Sequence, residues 1–354
     1  MSSFYLEQDI TDILERIDDI KDAFIGKTIL FSGGCGFLGK YFSQVCGRLN
    51  DLYPDTPCKL ILLDNLITAD TTTELCPSNG HITFLEHDII KPMENPPEDI
   101  DYVIHAAGIA SPFYYRAYPL ETLDVGVIGT RNMLEVARKS RAKFLFFSSS
   151  EIYGDPDAKH VPMQESYKGN VSCIGPRACY DESKRVGETL CYIYQQQYGV
   201  HTNIVRPFNV YGPGMKEKDY RVLPNFASRI KGGKPLQVYG TGNQTRTFCY
   251  ISDFMNGCMR ILASGVPGEA YNIGNPEPEV SILELAEVTS KVAKQKVETN
   301  IIEYPDSYPA DEPMRRCPDI RKAELQLKFH PQMDLEEGLR RFYQWTDATY
   351  EGKQ

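Results

Sequence analysis

Lys27-Thr-Ile-Leu-Phe-Ser-Gly33-Gly34-Cys35-Gly36-Phe37-Leu38-Gly39 reads as a short apolar strand, a glycine cluster and the opening of an apolar helix. Gly34, Gly36 and Gly39 match G-x-G-x-x-G, in which missing side chains allow a tight turn, close approach of a pyrophosphate and helix–strand packing. Amides at the helix N-terminus then face phosphates. A second strand, Lys59-Leu-Ile-Leu-Leu-Asp64, ends in a carboxylate where the ribose hydroxyls of NAD should lie and where the extra phosphate of NADP would be opposed. A glycine match alone is weak. Strand before, helix after and acid at the next strand's end together predict a dinucleotide site.

The alternation continues through Tyr102-Val-Ile-His-Ala-Ala-Gly108, a helix around Gly129 to Arg141, and Lys143-Phe-Leu-Phe-Phe-Ser148. Such a pattern builds an α/β fold, a doubly wound parallel sheet of Rossmann type with ligands at the carboxyl ends of the strands. The turn Ser148-Ser149-Ser150-Glu151-Ile152-Tyr153-Gly154 opens at that same edge. Ala178 to Tyr198 lacks Pro and stops at Gly199, as a helix does. Tyr180 and Lys184 stand four apart on it and share one face. A phenol titrates near ~10 in water, and a nearby ammonium would favour its phenolate.

With these motifs the chain resembles the extended short-chain dehydrogenase/reductase family and, within it, the decarboxylases that convert UDP-glucuronate to UDP-xylose. The resemblance covers Thr28 to Leu339. Its family-wide part is the glycine loop, Asp64, His105-Ala-Ala-Gly108, the serine turn, the Tyr180/Lys184 pair and Arg206-Pro-Phe-Asn-Val-Tyr-Gly-Pro213. Its narrower part is Ala110-Ser-Pro112, Ser150-Glu151, Gly175-Pro-Arg-Ala-Cys-Tyr-Asp-Glu182, Gly240-Thr-Gly-Asn-Gln-Thr-Arg246, Tyr271-Asn-Ile-Gly-Asn-Pro276 and Asp311-Glu-Pro-Met-Arg-Arg-Cys-Pro-Asp319.

The resemblance implies a catalytic set of Ser149, Glu151, Tyr180, Lys184 and Arg246. It implies NAD contacts from Gly33, Gly34, Gly36, Phe37, Leu38, Gly39, Asp64, Asn65, Asp88, Ile89, Ala106 and Ala107, besides Tyr180 and Lys184. A nucleotide sugar would meet Ser111, Arg177, Asn209, Arg221, Tyr239, Arg246 and Arg316. Tyr180 would take a proton from the sugar O4 while C4 is oxidised, with Ser149 bonded to the same oxygen. A C6 carboxylate beside the new ketone then leaves as CO2, and the 4-keto pentose is either released or reduced.

Two positions choose among related chemistries. Dehydratases of this type place an Asp-Glu pair after the catalytic hydroxyl, because expelling water needs an acid. Here Ser150 fills the position of that Asp, and serine is far too weak an acid. Arg177 could pair with a C6 carboxylate through two hydrogen bonds. The alternatives are a 4-epimerase, 4,6-dehydratase or C4 oxidase acting on another nucleotide sugar, and an NAD-binding scaffold without activity. Retention of Ser149, Tyr180 and Lys184 together speaks against the scaffold. Two departures are visible. The pattern's Thr-Asn-x-x-Gly-Thr is Val125-Gly126-Val-Ile-Gly129-Thr130 here, expected to widen the pocket or alter local water, and Ser183 replaces a usual Gly, expected to matter little.

A chain of 354 residues with 42% hydrophobic content buries a large core and divides into two lobes. The expected division is an N-terminal amphipathic helix over 1–26, an NAD-binding domain over 27–206 rejoined by 248–274, and a smaller α/β substrate lobe from 207–247 and 275–350. Helical patterns at 281–291 and 335–343 would cover that lobe. Leu6, Ile10, Ile13, Ile17, Ile20 and Phe24 recur at helical spacing, expected to pack on the chain's own body. A net charge of −10 argues against nucleic acid or an anionic membrane as partner. Ten cysteines without C-x-x-C spacing and six scattered histidines predict reduced thiols, a cytoplasmic location and no metal. The resemblance implies a homodimer through helices around Leu120 to Arg138 and Ala178 to Tyr198.

Overall fold

The computed structural model describes residues 4–69, 80–219, 221–295, 297–304 and 313–353. Asp311 and Glu312 of the last quoted string lie outside these residues. Seven parallel strands form the central sheet: β1 (Thr28–Ser32), β2 (Lys59–Asp64), β3 (Ile82–Glu86), β4 (Tyr102–His105), β5 (Lys143–Phe147), β6 (Thr202–Pro207) and β7 (Ala270–Ile273), in the order β3-β2-β1-β4-β5-β6-β7. β4 is buried at every position and β5 at all but its first. Their unbroken apolar runs are what a strand covered on both faces requires.

The order reverses between β1 and β4, and the glycine turn follows β1 at that switch point. The helices that serve the site are α2 (Phe37–Leu52), α3 (Thr130–Ser140) and α4 (Ala178–Tyr198). Gly199 ends α4 with φ +67°, the left-handed cap that glycine adopts without strain. α3 is the last part of a longer helical run, entered through Pro119–Asp124 and one turn of π-helix at Val125–Gly129.

After β6 the chain builds short strands: Val210–Tyr211 with Cys249–Tyr250, Leu236–Tyr239 with Thr299–Ile302, and Thr245–Arg246 between Val280–Ser281 and Arg315–Arg316. Helix α5 (Ile251–Ser264) and β7 return to the main sheet, β7 pairing with β6. Ile282–Val292 starts at a Ser281/Glu284 capping box, and α6 (Leu335–Thr349) at Asp334. The second of these runs six residues beyond its apolar pattern, to Thr349.

The N-terminal segment forms α1 (Glu7–Arg16) and then a 3-10 turn, Asp18–Ala23. The expected single helix breaks where Asp18 and Asp19 stand together, residue types that favour helix ends over helix interiors. Ile10, Ile13, Ile17 and Phe24 are nonetheless fully buried in the main core. Asp9 is buried with them. It accepts hydrogen bonds from Tyr250 at 2.9 Å and from Arg341 at 3.0 Å, so α1 is bound to α5's entry and to α6. Arg16 adds a 2.5 Å ion pair to Asp253 on α5.

Candidate active site

The glycine turn owes its shape to contacts no side chain could survive. Gly33 takes φ +80°, and a Cβ there would meet the Ala107 amide nitrogen at 2.7 Å. One on Gly39 would meet the Gly34 carbonyl at 2.5 Å. Positive φ thus falls on Gly33, one residue ahead of the motif's first glycine. Gly34 instead presses against Leu62 of β2. Asp64 accepts hydrogen bonds from the amides of Cys35 at 3.0 Å and Leu66 at 2.9 Å, tying β2's end to the loop.

A cleft of about 310 Å³ opens at the carboxyl edge of the sheet. Of the expected site residues it brings together Phe37, Leu38, Ala106, Ser149, Glu151, Arg177, Tyr180, Lys184, Asn209, Arg221, Tyr239, Arg246 and Arg316. Ser111 stands beside it between two lining residues, Ala110 and Pro112, its hydroxyl buried without a hydrogen-bond partner. Gly33, Gly34, Gly36, Gly39, Asp64, Asn65, Asp88, Ile89 and Ala107 do not line this cleft; Ile89 is packed in the core against Gly129.

At the centre, Tyr180 is 7% exposed, and the Ser149 hydroxyl stands near its phenol and favours its ionised form. Tyr115 stacks on its other side, ring centres 5.4 Å apart and 16° from parallel. Lys184 places Nζ 5.7 Å from the Tyr180 ring centre and donates to the Phe147 carbonyl at 2.9 Å. Burial pushes the Tyr180 phenol up to about 12 and the Lys184 ammonium down to about 8. The chain by itself therefore does not favour the phenolate, contrary to the expectation from Lys184's charge. Desolvation outweighs an ammonium that is buried and directed at a carbonyl.

Glu151 sits in a cage of guanidiniums. Arg316 grips it through both nitrogens, one contact at 2.9 Å, and Arg177 pairs with it too. Burial opposes its charge, yet Arg316, Arg177 and Arg246 outweigh burial and hold the carboxyl down at about 2. At neutral pH it is an anion and not an acid. Arg177 is thus engaged by Glu151, and lies 3.6 Å from Asp181, whereas the sequence suggested a guanidinium open to a ligand. A buried carboxylate requires partners, and Arg177 supplies one.

At the far end Tyr239 stacks on Tyr304, ring centres 5.8 Å apart. Gln244 donates to both the Tyr239 carbonyl at 3.1 Å and the Tyr304 hydroxyl at 3.2 Å. Asn209 donates to the Thr247 carbonyl at 2.7 Å, and Arg221 pairs with Asp219. Tyr115, Gln244 and Tyr304 were not singled out from the sequence. Tyr115 follows Ser111 by four residues on the helix Pro112–Ala117, a spacing that carries both to one face. His105, part of a quoted motif, is structural. It bonds Ser32 at 2.8 Å and Thr130 at 3.0 Å, and burial and Lys184 hold it neutral at about 3.

Gly126 does not line the cleft. A Cβ on it would stand 2.4 Å from the Ser183 Cβ. The two departures from the family pattern face one another. The absent Asn therefore does not widen the pocket, and Ser183 is not incidental. The space left at 126 is where the Ser183 side chain packs.

A dinucleotide turn at a sheet's switch point, opening beside a serine, a tyrosine and a lysine in one cleft, defines an oxidoreductase-type fold of the short-chain dehydrogenase/reductase class. Residues 29–274 match the NAD dependent epimerase/dehydratase family, and the chain belongs to it. The chain is 37% identical over 348 residues to UDP-glucuronic acid decarboxylase 1 of Xenopus tropicalis, spanning 94% of this chain and 78% of that protein. It is 40% identical over 313 residues to UDP-glucuronic acid decarboxylase 6 of Arabidopsis thaliana, spanning 88% and 86%. Among solved structures, UDP-glucuronic acid 4-epimerase of Bacillus cereus in complex with UDP-glucuronic acid and NAD aligns with TM-score 0.78 at 26% identity, over 91% of this chain and 100% of that one.

NAD is the cofactor of this family, and the residues present fit it. Gly36, without a side chain, caps α2, and the amides of the helix's first turn, which have no acceptor within the helix, are the donors a pyrophosphate would meet. Asp64 stands at the end of β2, where a ribose diol would be bound. Among the described residues no three His, Cys, Asp or Glu side chains gather as a metal site, and no helix is long and apolar enough to cross a membrane.

Proposed function

We propose that this chain is an NAD-dependent decarboxylase of UDP-glucuronate that forms UDP-xylose through a 4-keto intermediate. The observation that carries the reading is the cluster of Arg177, Arg246 and Arg316 lining the same cleft as Ser149, Tyr180 and Lys184. A uronate diphosphate brings its negative charge to that place, in a chain whose overall charge is −10. The decarboxylase relatives support the same reading.

In this reaction Tyr180 takes the proton of the sugar O4, Ser149 hydrogen-bonds that oxygen, and Lys184 fixes positive charge beside the phenol. NAD, when bound, supplies the hydride acceptor for C4 and a positively charged ring that favours the phenolate. Once C4 is a ketone, the C6 carboxylate belongs to a β-keto acid. The C5–C6 bond breaks, CO2 leaves, and the bonding pair enters the carbonyl as an enolate. C5 then takes a proton from water, and the hydride removed from C4 in the first step returns to it as Tyr180 gives its proton back to O4, which completes the pentose. A 4,6-dehydratase would need an acid beside C6. Ser150 and an ionised Glu151 provide none.

Incubation of the protein with UDP-glucuronate and NAD, followed by the anomeric proton signals and trapped CO2, is expected to show UDP-xylose formed in step with CO2. Galacturonate without CO2 would establish the 4-epimerase instead, and unchanged substrate would defeat both. Arg177→Ala is expected to lower kcat/KM for UDP-glucuronate about 10- to 100-fold, because hydrogen bonds to charged groups contribute about 1.5–3 kcal/mol. Parent-like kinetics in that variant would remove Arg177 from carboxylate recognition.

The assembly in this reading is a homodimer. Leu120, Ile128, Tyr192 and Tyr198 are 72%, 43%, 62% and 54% exposed on the run before α3 and on α4, which pack together. Exposed apolar side chains on two adjoining helices favour association. Light scattering is expected to give twice the chain mass, and Leu120→Asp with Tyr192→Asp the single mass. A monomeric parent would remove the dimer.

A further inference from the structure

Asp181 follows Tyr180 on α4, is 6% exposed, and belongs to none of the roles above. Its Oδ2 lies 3.6 Å from Arg177 Nε, and its Oδ1 accepts no hydrogen bond from any described residue. A buried ionised carboxylate ordinarily collects several donors. This one has a single, distant guanidinium, which it shares with Glu151. The charged and titratable groups facing it are Arg177 and Tyr180 around the start of its own helix, Glu151 from the turn after β5, Arg316 from the strand Arg315–Arg316, and Tyr115 from the helix Pro112–Ala117. Among these only the two arginines favour its charge.

We propose that Asp181 is the proton-accepting member of the arginine cluster: entry of a sugar carboxylate onto Arg177 draws a proton onto Asp181, which releases the Nε side of that guanidinium for the ligand while Nη2 stays on Glu151. The inference rests on the uronate reading above and deepens it. Three carboxylates would otherwise compete for the guanidiniums of Arg177, Arg246 and Arg316. Glu151 cannot be the one to yield, because Arg316 grips both its oxygens. Asp181 has an orphaned oxygen ready to carry the proton, and as a neutral acid it no longer needs Arg177. Burial and the Glu151 charge already push it up to about 7, against the pull of Arg177 and Arg316. A third anion raises it further. The sign follows: an acid whose pKa rises on binding takes up a proton, so affinity for the uronate falls as pH climbs from about 7.

The test is calorimetric titration of UDP-glucuronate into the NAD-loaded Tyr180→Phe protein, in which turnover is slowed about 10²–10⁴-fold and CO2 release over the titration is checked to be negligible, at pH 7.5 in phosphate and in Tris. These buffers differ in heat of ionisation, so the difference in apparent enthalpy counts protons. The expected result is uptake of roughly half a proton or more per ligand, as linkage with a pKa near 7 requires. That uptake should vanish in Tyr180→Phe with Asp181→Asn, and with UDP-glucose, which lacks the carboxylate. Retained UDP-glucose binding in the Asn variant certifies its fold. Buffer-independent heats for UDP-glucuronate, equal uptake for UDP-glucose, or uptake that survives Asp181→Asn would each overturn the proposal. Failure of UDP-glucuronate to bind at all would instead sink the uronate reading, and this inference with it.

Discussion

Tyr180→Phe is expected to lower kcat by about 10²–10⁴-fold, the range that a positioned acid–base group contributes, with little change in fold. The ring would keep its stack on Tyr115 at 5.4 Å, and only the hydroxyl near Ser149 would be lost, a change of about 1 kcal/mol at most. NAD binding should persist, since the glycine turn and Asp64 are untouched. The pH profile is informative as well. Burial alone leaves the phenol at about 12, so catalysis near neutrality depends on positive charge brought close to it. Activity of the parent should rise with pH as the phenol ionises. It should then flatten or fall once Lys184, pushed down to about 8 by burial, loses its proton. Lys184→Met is expected to shift the rising limb to higher pH. Steady-state kinetics with UDP-glucuronate, and a thermal melt as control, decide the matter. A Tyr180→Phe protein as fast as the parent would falsify the assignment of the base.

What was legible in the chain was what local rules govern. The glycine run, Asp64 and the serine turn each end an apolar strand, and parallel sheets bring strand ends to one edge. Ala178 to Tyr198 declared its own limits through absent prolines and a terminal glycine, which placed Tyr180 and Lys184 on one face. Arrangements made by distant segments were not legible. Glu151 is caged by Arg316 from 165 residues away, through a two-residue strand that no periodicity reveals. Tyr115 meets Tyr180 only because a separate helix crosses the cleft. Arg177 looked open to a ligand because its carboxylate partner stands on another turn. The electrostatics of Tyr180 went astray for a related reason: charge proximity is readable from spacing, while desolvation depends on everything packed around the pair.

Gly126 and Ser183 show the same limit and yield the second large effect. Each departs alone from the family pattern, and only the fold shows that they touch. Asn at 126 would bring a Cβ to 2.4 Å from the Ser183 Cβ, 2.9 Å from its carbonyl oxygen and 3.0 Å from its Cα. Ser183 has little room to move, since its hydroxyl donates to the Tyr180 carbonyl at 2.7 Å and Lys184 of the reacting pair follows it directly. The turn around Gly126 is also held, because Thr130 donates to the Gly126 carbonyl at 2.7 Å. Gly126→Asn is therefore expected to cost about 3 kcal/mol, the upper part of the overpacking range. Because relief must come by shifting α4 at Lys184, kcat should drop as well. Ser183→Gly alone should cost about 0.5 kcal/mol through helix propensity. Combined, the two should be less damaging than their sum by about 0.5–3 kcal/mol, the coupling typical of residues in contact. Rescue will be partial, since the backbone contacts of residue 183 remain. Chemical denaturation of the four proteins of this cycle measures the coupling directly. Strict additivity would mean that the two substitutions are independent and that the contact does not position the catalytic helix.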